Sequence, residues 1–174
     1  PLITVQGGVG TPGEVKRLQK DFNIDKIGIA TPFLLVPEVT CVESTTFNKL
    51  KKADESDLYL SEVSPLGVPF NNLRHSVSEE HTTNQVEIGD PGSPCPKGFL
   101  VSNTEFSEVP ICTATKEYQQ QKLNEVSETI ADGTELALEQ AKVVKKTCLC
   151  DHLGNGALIN LEIKKEKKAT QAIC

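Results

Sequence analysis

Apolar residues come in short runs near the start of the chain and then settle into helical spacing. Leu2-Ile3-Thr4-Val5-Gln6 is a β-prone run that stops at Gly7-Gly8-Val9-Gly10, and it predicts a strand at about 2–6. Thr11 reads as a helix N-cap, Pro12 as the first helical residue and Glu14 as the partner in a capping box. Val15, Leu18 and Phe22 recur on one face, so the spacing predicts a helix over 12–22 that ends at Asn23. Lys26-Ile27-Gly28-Ile29-Ala30 predicts a second strand, stopped by Thr31-Pro32. A crossover helix between two strands of one sheet requires them to be parallel.

A further helix is expected over about 43–53, carried by Phe47 and Leu50, and beyond it the βα alternation fades. From Asp57 to Arg74 short apolar runs are cut by Pro65, Gly67 and Pro69. Residues 75–94 are polar and read as loop, with Asp90-Pro91-Gly92-Ser93-Pro94 as a turn. Helices are predicted from Thr115 to about Ile130 and from Thr134 to Lys146, separated by Asp132-Gly133. Glu162 to Lys168 reads as a solvated, charge-rich tail. The expected fold class is α/β over residues 1–53, followed by a helical, irregular extension over 54–174.

Composition narrows the function classes. Eighteen basic residues against twenty-four acidic ones give a formal charge of −6, which disfavours nonspecific binding to nucleic acid or anionic lipid. No apolar run approaches the ~18–20 residues of a membrane span. The sequence begins at Pro1 and has no methionine, so it reads as an internal segment or a processed product. Six irregularly spaced cysteines are too few for a disulfide scaffold, and reduced thiols in a cytoplasmic protein are expected. A disulfide framework, with fifteen pairings open to six cysteines, is the alternative.

The Gly7-Gly8-Val9-Gly10 turn lies between a strand and a helix start, where glycines let an anion approach the backbone and the helix offers unpaired N–H groups. Gly8 and Gly10 match a GxGxxG pattern, but its third glycine, Gly13, falls inside the helix. Gly28-Ile29-Ala30-Thr31-Pro32-Phe33 ends the second strand in the same way. Two consecutive strand ends of this kind form the phosphate site of many (β/α)8 barrels.

Gln6-Gly7-Gly8-Val9-Gly10-Thr11-Pro12 followed by Ile27-Gly28-Ile29-Ala30-Thr31-Pro32-Phe33-Leu34 resembles the last part of the barrel in the nitronate monooxygenase (2-nitropropane dioxygenase) family. The resemblance covers about residues 1–37. It implies a TIM barrel whose final βα units lie here, completed by an upstream portion of the same polypeptide. It also implies FMN held through Gly7, Gly8, Gly10, Ala30 and Thr31, and a small-molecule substrate oxidised by the flavin at the expense of oxygen. Ala30 stands where the family usually has glycine, and none of His75, His81 and His152 occupies the place of its catalytic histidine. Asp57-Leu58-Tyr59-Leu60-Ser61, Ser64 to Asn71, Asn103-Thr104-Glu105-Phe106 and Ile111-Cys112-Thr113-Ala114 resemble the C-terminal extension of long bacterial members.

The thiols form a second constellation. Cys95 sits between prolines, Cys112 follows Pro110-Ile111, and Cys148 and Cys150 flank Leu149. Four thiolates suit an iron–sulfur cluster or zinc, and in a flavin enzyme a cluster would supply one-electron chemistry beside the flavin ring. The competing reading is four small buried hydrophobes. For ligation, Cys148 and Cys150 are expected in an extended segment with Leu149 pointing away. Cys41 is expected to pack a helix edge, and Cys174 is terminal.

His75 and His81 read as solvated, and His152 as a secondary ligand candidate beside Cys150. Arg74 reads as a surface salt-bridge partner, and Glu105 and Asp151 as unpaired acid–base candidates. No Ser-His-Asp order or zinc-protease motif is present. The leading expectation is the C-terminal segment of an FMN-dependent oxidoreductase of nitronate monooxygenase type. The alternative is a non-catalytic interaction or metal-stabilised module appended to a barrel.

Overall fold

Helix α1 (Pro12–Phe22) starts and stops on local chemistry in the computed structural model, which describes residues 1–7, 9–30, 33, 36, 38–39, 41–42, 44–95 and 97–165. The Thr11 hydroxyl accepts the Glu14 N–H at 3.3 Å, and the Glu14 carboxylate accepts the Thr11 N–H at 2.9 Å. Asn23 ends the helix in the left-handed region at φ 52°. Strands β1 (Thr4–Gln6) and β2 (Lys26–Gly28) flank it and pair in parallel, Thr4 with Lys26 and Gln6 with Gly28. Both are shorter than their apolar runs. Helix α2 (Ser44–Lys52) follows. The expected stop at Thr31-Pro32 lies outside the described residues.

The chain divides into two units, Pro1–Lys51 and Lys52–Cys174. In the first, Val9 and Thr46 are the buried residues among those described, whereas Leu2, Ile3, Phe22, Ile29, Phe33 and Val39 are exposed. The described residues do not form a closed barrel. Two-stranded sheets and six α-helices make the described part of the chain mixed α/β.

The second unit opens with a hairpin that its broken apolar runs did not announce. Strands β3 (Leu58–Ser61) and β4 (Phe70–Leu73) pair antiparallel, Leu58 opposite Leu73 and Ser61 opposite Phe70. Helix α3 (Val77–Glu87) corrects the expected polar loop over 75–94. Its one buried residue is Ser78, so no apolar stripe marks it. Local capping by Ser76, which accepts the Glu79 N–H at 3.2 Å, starts it instead. The Tyr59 hydroxyl donates to Glu79 at 3.0 Å and ties α3 to the hairpin.

Helices α4 (Lys116–Thr129) and α5 (Gly133–Val144) match the expected spans closely and pack together. Thr115 and Asp132 cap them. Helix α6 (Leu149–Asn160) has no counterpart in the hydrophobic pattern, because Gly154 and Gly156 depress its helix propensity. It also overturns the extended geometry expected for Cys148-Leu149-Cys150. Leu73, Cys112, Ala114, Tyr118, Val126, Val143 and Cys148 make up the apolar core of this unit among the described residues.

One backbone contact near that core tolerates glycine only. Gly92 has φ +87°, and a Cβ there would lie 2.7 Å from the Lys116 nitrogen and 2.9 Å from the Thr115 carbonyl carbon. Ser93 next to it donates to the Ala114 carbonyl at 2.9 Å and accepts the Lys116 N–H at 3.0 Å. Gly92→Ala therefore combines backbone strain with a clash that no side chain can relieve. A loss of about 2–4 kcal/mol in urea unfolding is expected. An unchanged midpoint would show that this contact does not constrain the fold.

Candidate functional site

The glycine turn of the first unit presents one amide pair to an anion of its own. The Glu14 carboxylate accepts the N–H groups of Gly10 and Thr11, each at 2.9 Å, and the Thr11 hydroxyl at 3.1 Å. The Gly10 and Thr11 amides hold the Glu14 carboxyl below its ordinary value. A phosphate reaching Gly10 must displace this carboxylate. Gly7 has φ +83° with open space where a Cβ would stand, which suits close approach of a ligand. Ala30 is exposed in the turn after β2, its carbonyl accepting the Phe33 N–H at 2.9 Å. Gly8 and Thr31 lie outside the described residues. The fit to an FMN phosphate is thus open at Gly7 and Ala30 and contested at Gly10.

In the second unit the fold gathers thiols. Cys95, Cys112, Cys148 and Cys150 line a single cavity of ≈ 10 Å³, whose remaining wall includes Pro65, Leu100, Ala114 and Leu149. Three elements deliver them. Cys95 follows the Gly92–Ser93 contact and adopts φ +49°, its N–H donating to the Ser93 hydroxyl at 3.4 Å. Cys112 is buried ahead of α4, and its carbonyl accepts the Thr115 hydroxyl at 2.7 Å. Cys148 is the N-cap of α6 without a side-chain cap bond, and Cys150 lies in the first turn. Burial pushes the Cys112 thiol up, and the other three cysteines push it further. All five described cysteines are free thiols. Among the described residues no three His, Cys, Asp or Glu side chains already stand as a metal-ligand set.

Cys148 also faces a second cavity of ≈ 300 Å³, lined by His81, His152, Lys116, Lys146 and Asp151 among others. His152 is buried, its Nδ1 2.7 Å from the Ser78 hydroxyl and its ring edge-on to His81. Burial, with some help from His81, lowers its pKa to about 4, so the imidazole is neutral at pH 7. His81 is exposed, as its solvated reading expects, but it stands on α3 instead of in a loop, at the edge of this cavity. Sequence reasoning missed this pairing because His81 and His152 are separated by most of the unit, and α3 and α6 carry no periodic signal.

The other candidates have structural duties. Arg74 stacks over the Tyr59 ring at 4.7 Å and donates from Nε to the Ser56 carbonyl at 3.1 Å, in place of the expected surface salt bridge. Glu105 accepts Tyr118 at 2.7 Å and Lys122 at 2.8 Å, and these partners hold its carboxyl low. Burial and Glu105 push the Tyr118 phenol up to about 12. Asp151 faces Lys164 at 3.3 Å. His75 holds φ 57°, and its N–H donates to Glu79. Cys41 is exposed, which corrects the expected packing against a helix edge, and Cys174 lies outside the described residues. No described helix is long and apolar enough to cross a membrane.

The His152 environment sets a pH dependence. Its folded pKa of about 4 lies below the ordinary 6.5, so between these values the unfolded chain binds more protons. Its stabilising contribution is complete above pH 6.5 and falls away as pH drops toward 4, by about 3 kcal/mol at most. Urea midpoints measured across that window should fall less steeply in His152→Asn than in the native chain. Parallel profiles would contradict the assignment. Comparison of the chain with protein-family models, curated proteins and solved structures gives no match.

Proposed function

We propose that the first unit is the closing part of a (β/α)8 barrel in an FMN-dependent oxidoreductase of nitronate monooxygenase type, and that its two turns contribute to the flavin-phosphate site. One observation carries this reading. Parallel sheets occur almost only with both faces covered, yet the described strands β1 and β2 bury none of their residues, and Leu2, Ile3 and Ile29 around them are exposed. Such a pair is stable as part of a larger parallel sheet, which the upstream barrel portion of the same polypeptide supplies.

The resemblance of the Gln6–Pro12 and Ile27–Leu34 segments supplies the cofactor. FMN would carry the redox chemistry, and the protein supplies position and electrostatics. Main-chain groups of Gly7, Gly8, Ala30 and Thr31 would hold the phosphate, while Glu14 keeps the Gly10 amide in use within the helix cap. The second unit fits a metal-stabilised module appended to that barrel, a reading favoured by the shared lining of the four thiols.

Flavin content of the full-length protein tests the proposal. FMN released by denaturation should be close to stoichiometric, and Ala30→Glu should lower it at least about tenfold by placing a carboxylate against the phosphate. Lys20→Glu, on the last turn of α1, serves as the charge control and should retain the flavin. A flavin-free native protein, or full retention by Ala30→Glu, would overturn the reading.

A further inference from the structure

We propose that Cys95, Cys112, Cys148 and Cys150 are the four ligands of one thiolate-bound metal centre, either a zinc ion or an iron–sulfur cluster. The inference is independent of flavin binding. It starts from convergence: three segments far apart in sequence contribute every described cysteine of the second unit to one cavity. Burial of small hydrophobes needs no such meeting, whereas ligation of one centre requires it.

The wall of this cavity sharpens the choice. Pro65, Leu100, Ala114 and Leu149 are apolar, Ser93 and Thr115 are neutral, and among the described residues no lysine, arginine or histidine shares the lining. Inside this cavity the thiolates have no protein cation to pair with, and a bound metal would be the cation that stabilises them there. The N-terminal end of α6, with its positive dipole, lies at the same place, and Cys148 caps it without a hydrogen bond from its side chain. Cys95 is held at φ +49°, a conformation that non-glycine residues adopt rarely, between two prolines in the sequence. Such positions concentrate at functional sites.

Binding then requires the sulfurs to turn into one coordination sphere. The sulfurs share a lining but not yet a coordination sphere. The backbone of the three segments is pinned by Ser93 to Ala114 and Lys116, and by Thr147, whose N–H donates to the Val63 carbonyl at 3.0 Å. Each cysteine can re-aim its sulfur through χ1, a single torsion with three staggered wells. Binding deprotonates the thiols and releases their protons to solvent. Metal affinity should therefore fall as pH falls. No electron is gained or lost when zinc or a preformed cluster is taken up.

The test begins with the full chain purified without oxygen or chelator. Zinc, iron and acid-labile sulfide are measured per chain. A single zinc, or iron with matching sulfide and visible charge-transfer absorption, supports the centre and distinguishes its two forms. Cys112→Ser should lose most of the metal, while Cys41→Ser, in the first unit, should retain it. In case Cys112→Ser does not fold, cobalt(II) is titrated into the reduced, metal-free native chain. Saturable sulfur-to-cobalt charge transfer and intense tetrahedral d–d bands at one equivalent support the site. Native protein that carries no metal and takes up neither cobalt nor a reconstituted cluster would overturn it, as would full metal content in folded Cys112→Ser.

Discussion

Ser93 is the point on which the second unit depends. Its N–H and carbonyl are both engaged by the strand-like entry to α4, at Ala114 and Lys116, and Gly92 lets the two backbones come that close. Cys95 is thereby placed within reach of Cys112. A second link completes the frame: fully buried Gln119, one turn into α4, donates from Nε2 to the Lys146 carbonyl at 2.9 Å. That bond places the start of α6, and with it Cys148 and Cys150. The Ser93 backbone pairing and the Gln119 side-chain bond thus tie together the segments that carry the four thiols.

These links oppose an entropic cost that is smaller than the sequence gaps suggest. Loop-closure cost grows only logarithmically, about 0.6 kcal/mol for each doubling of length, so distant cysteines are not handicapped much by their separation. The polar groups in the core are the sharper constraint. Gln119 Oε1 and Ser61 Oγ are buried without a partner among the described residues. An orphaned acceptor costs about 1–3 kcal/mol, which the bond from Gln119 Nε2 helps to offset. Four thiols in an apolar wall add no comparable penalty while protonated, since a thiol behaves as a small hydrophobe.

What could be read in the sequence follows the range of the interactions. Helix α1 was legible to the residue, because Thr11, Pro12, Glu14 and Asn23 act within a few positions of one another. The β1–β2 pairing followed from the crossover, and α4 and α5 from their caps and apolar spacing. Helix α3 was hidden because it buries Ser78 and no apolar stripe, and α6 because two glycines interrupt it. The side-chain types of the thiol set were visible, but its setting was not: Cys150 reaches the cavity from a helical turn and not from a strand. The His152–Ser78 contact had no local signal, since it depends on how α3 and α6 pack.

The placement of the four sulfurs is tested most directly by X-ray absorption at the metal edge of the natively purified or zinc-loaded chain. A first shell of sulfur alone, four scatterers for zinc at about 2.3 Å, is the expected result. A shell of nitrogen and oxygen, or one with fewer than three sulfurs, would contradict it.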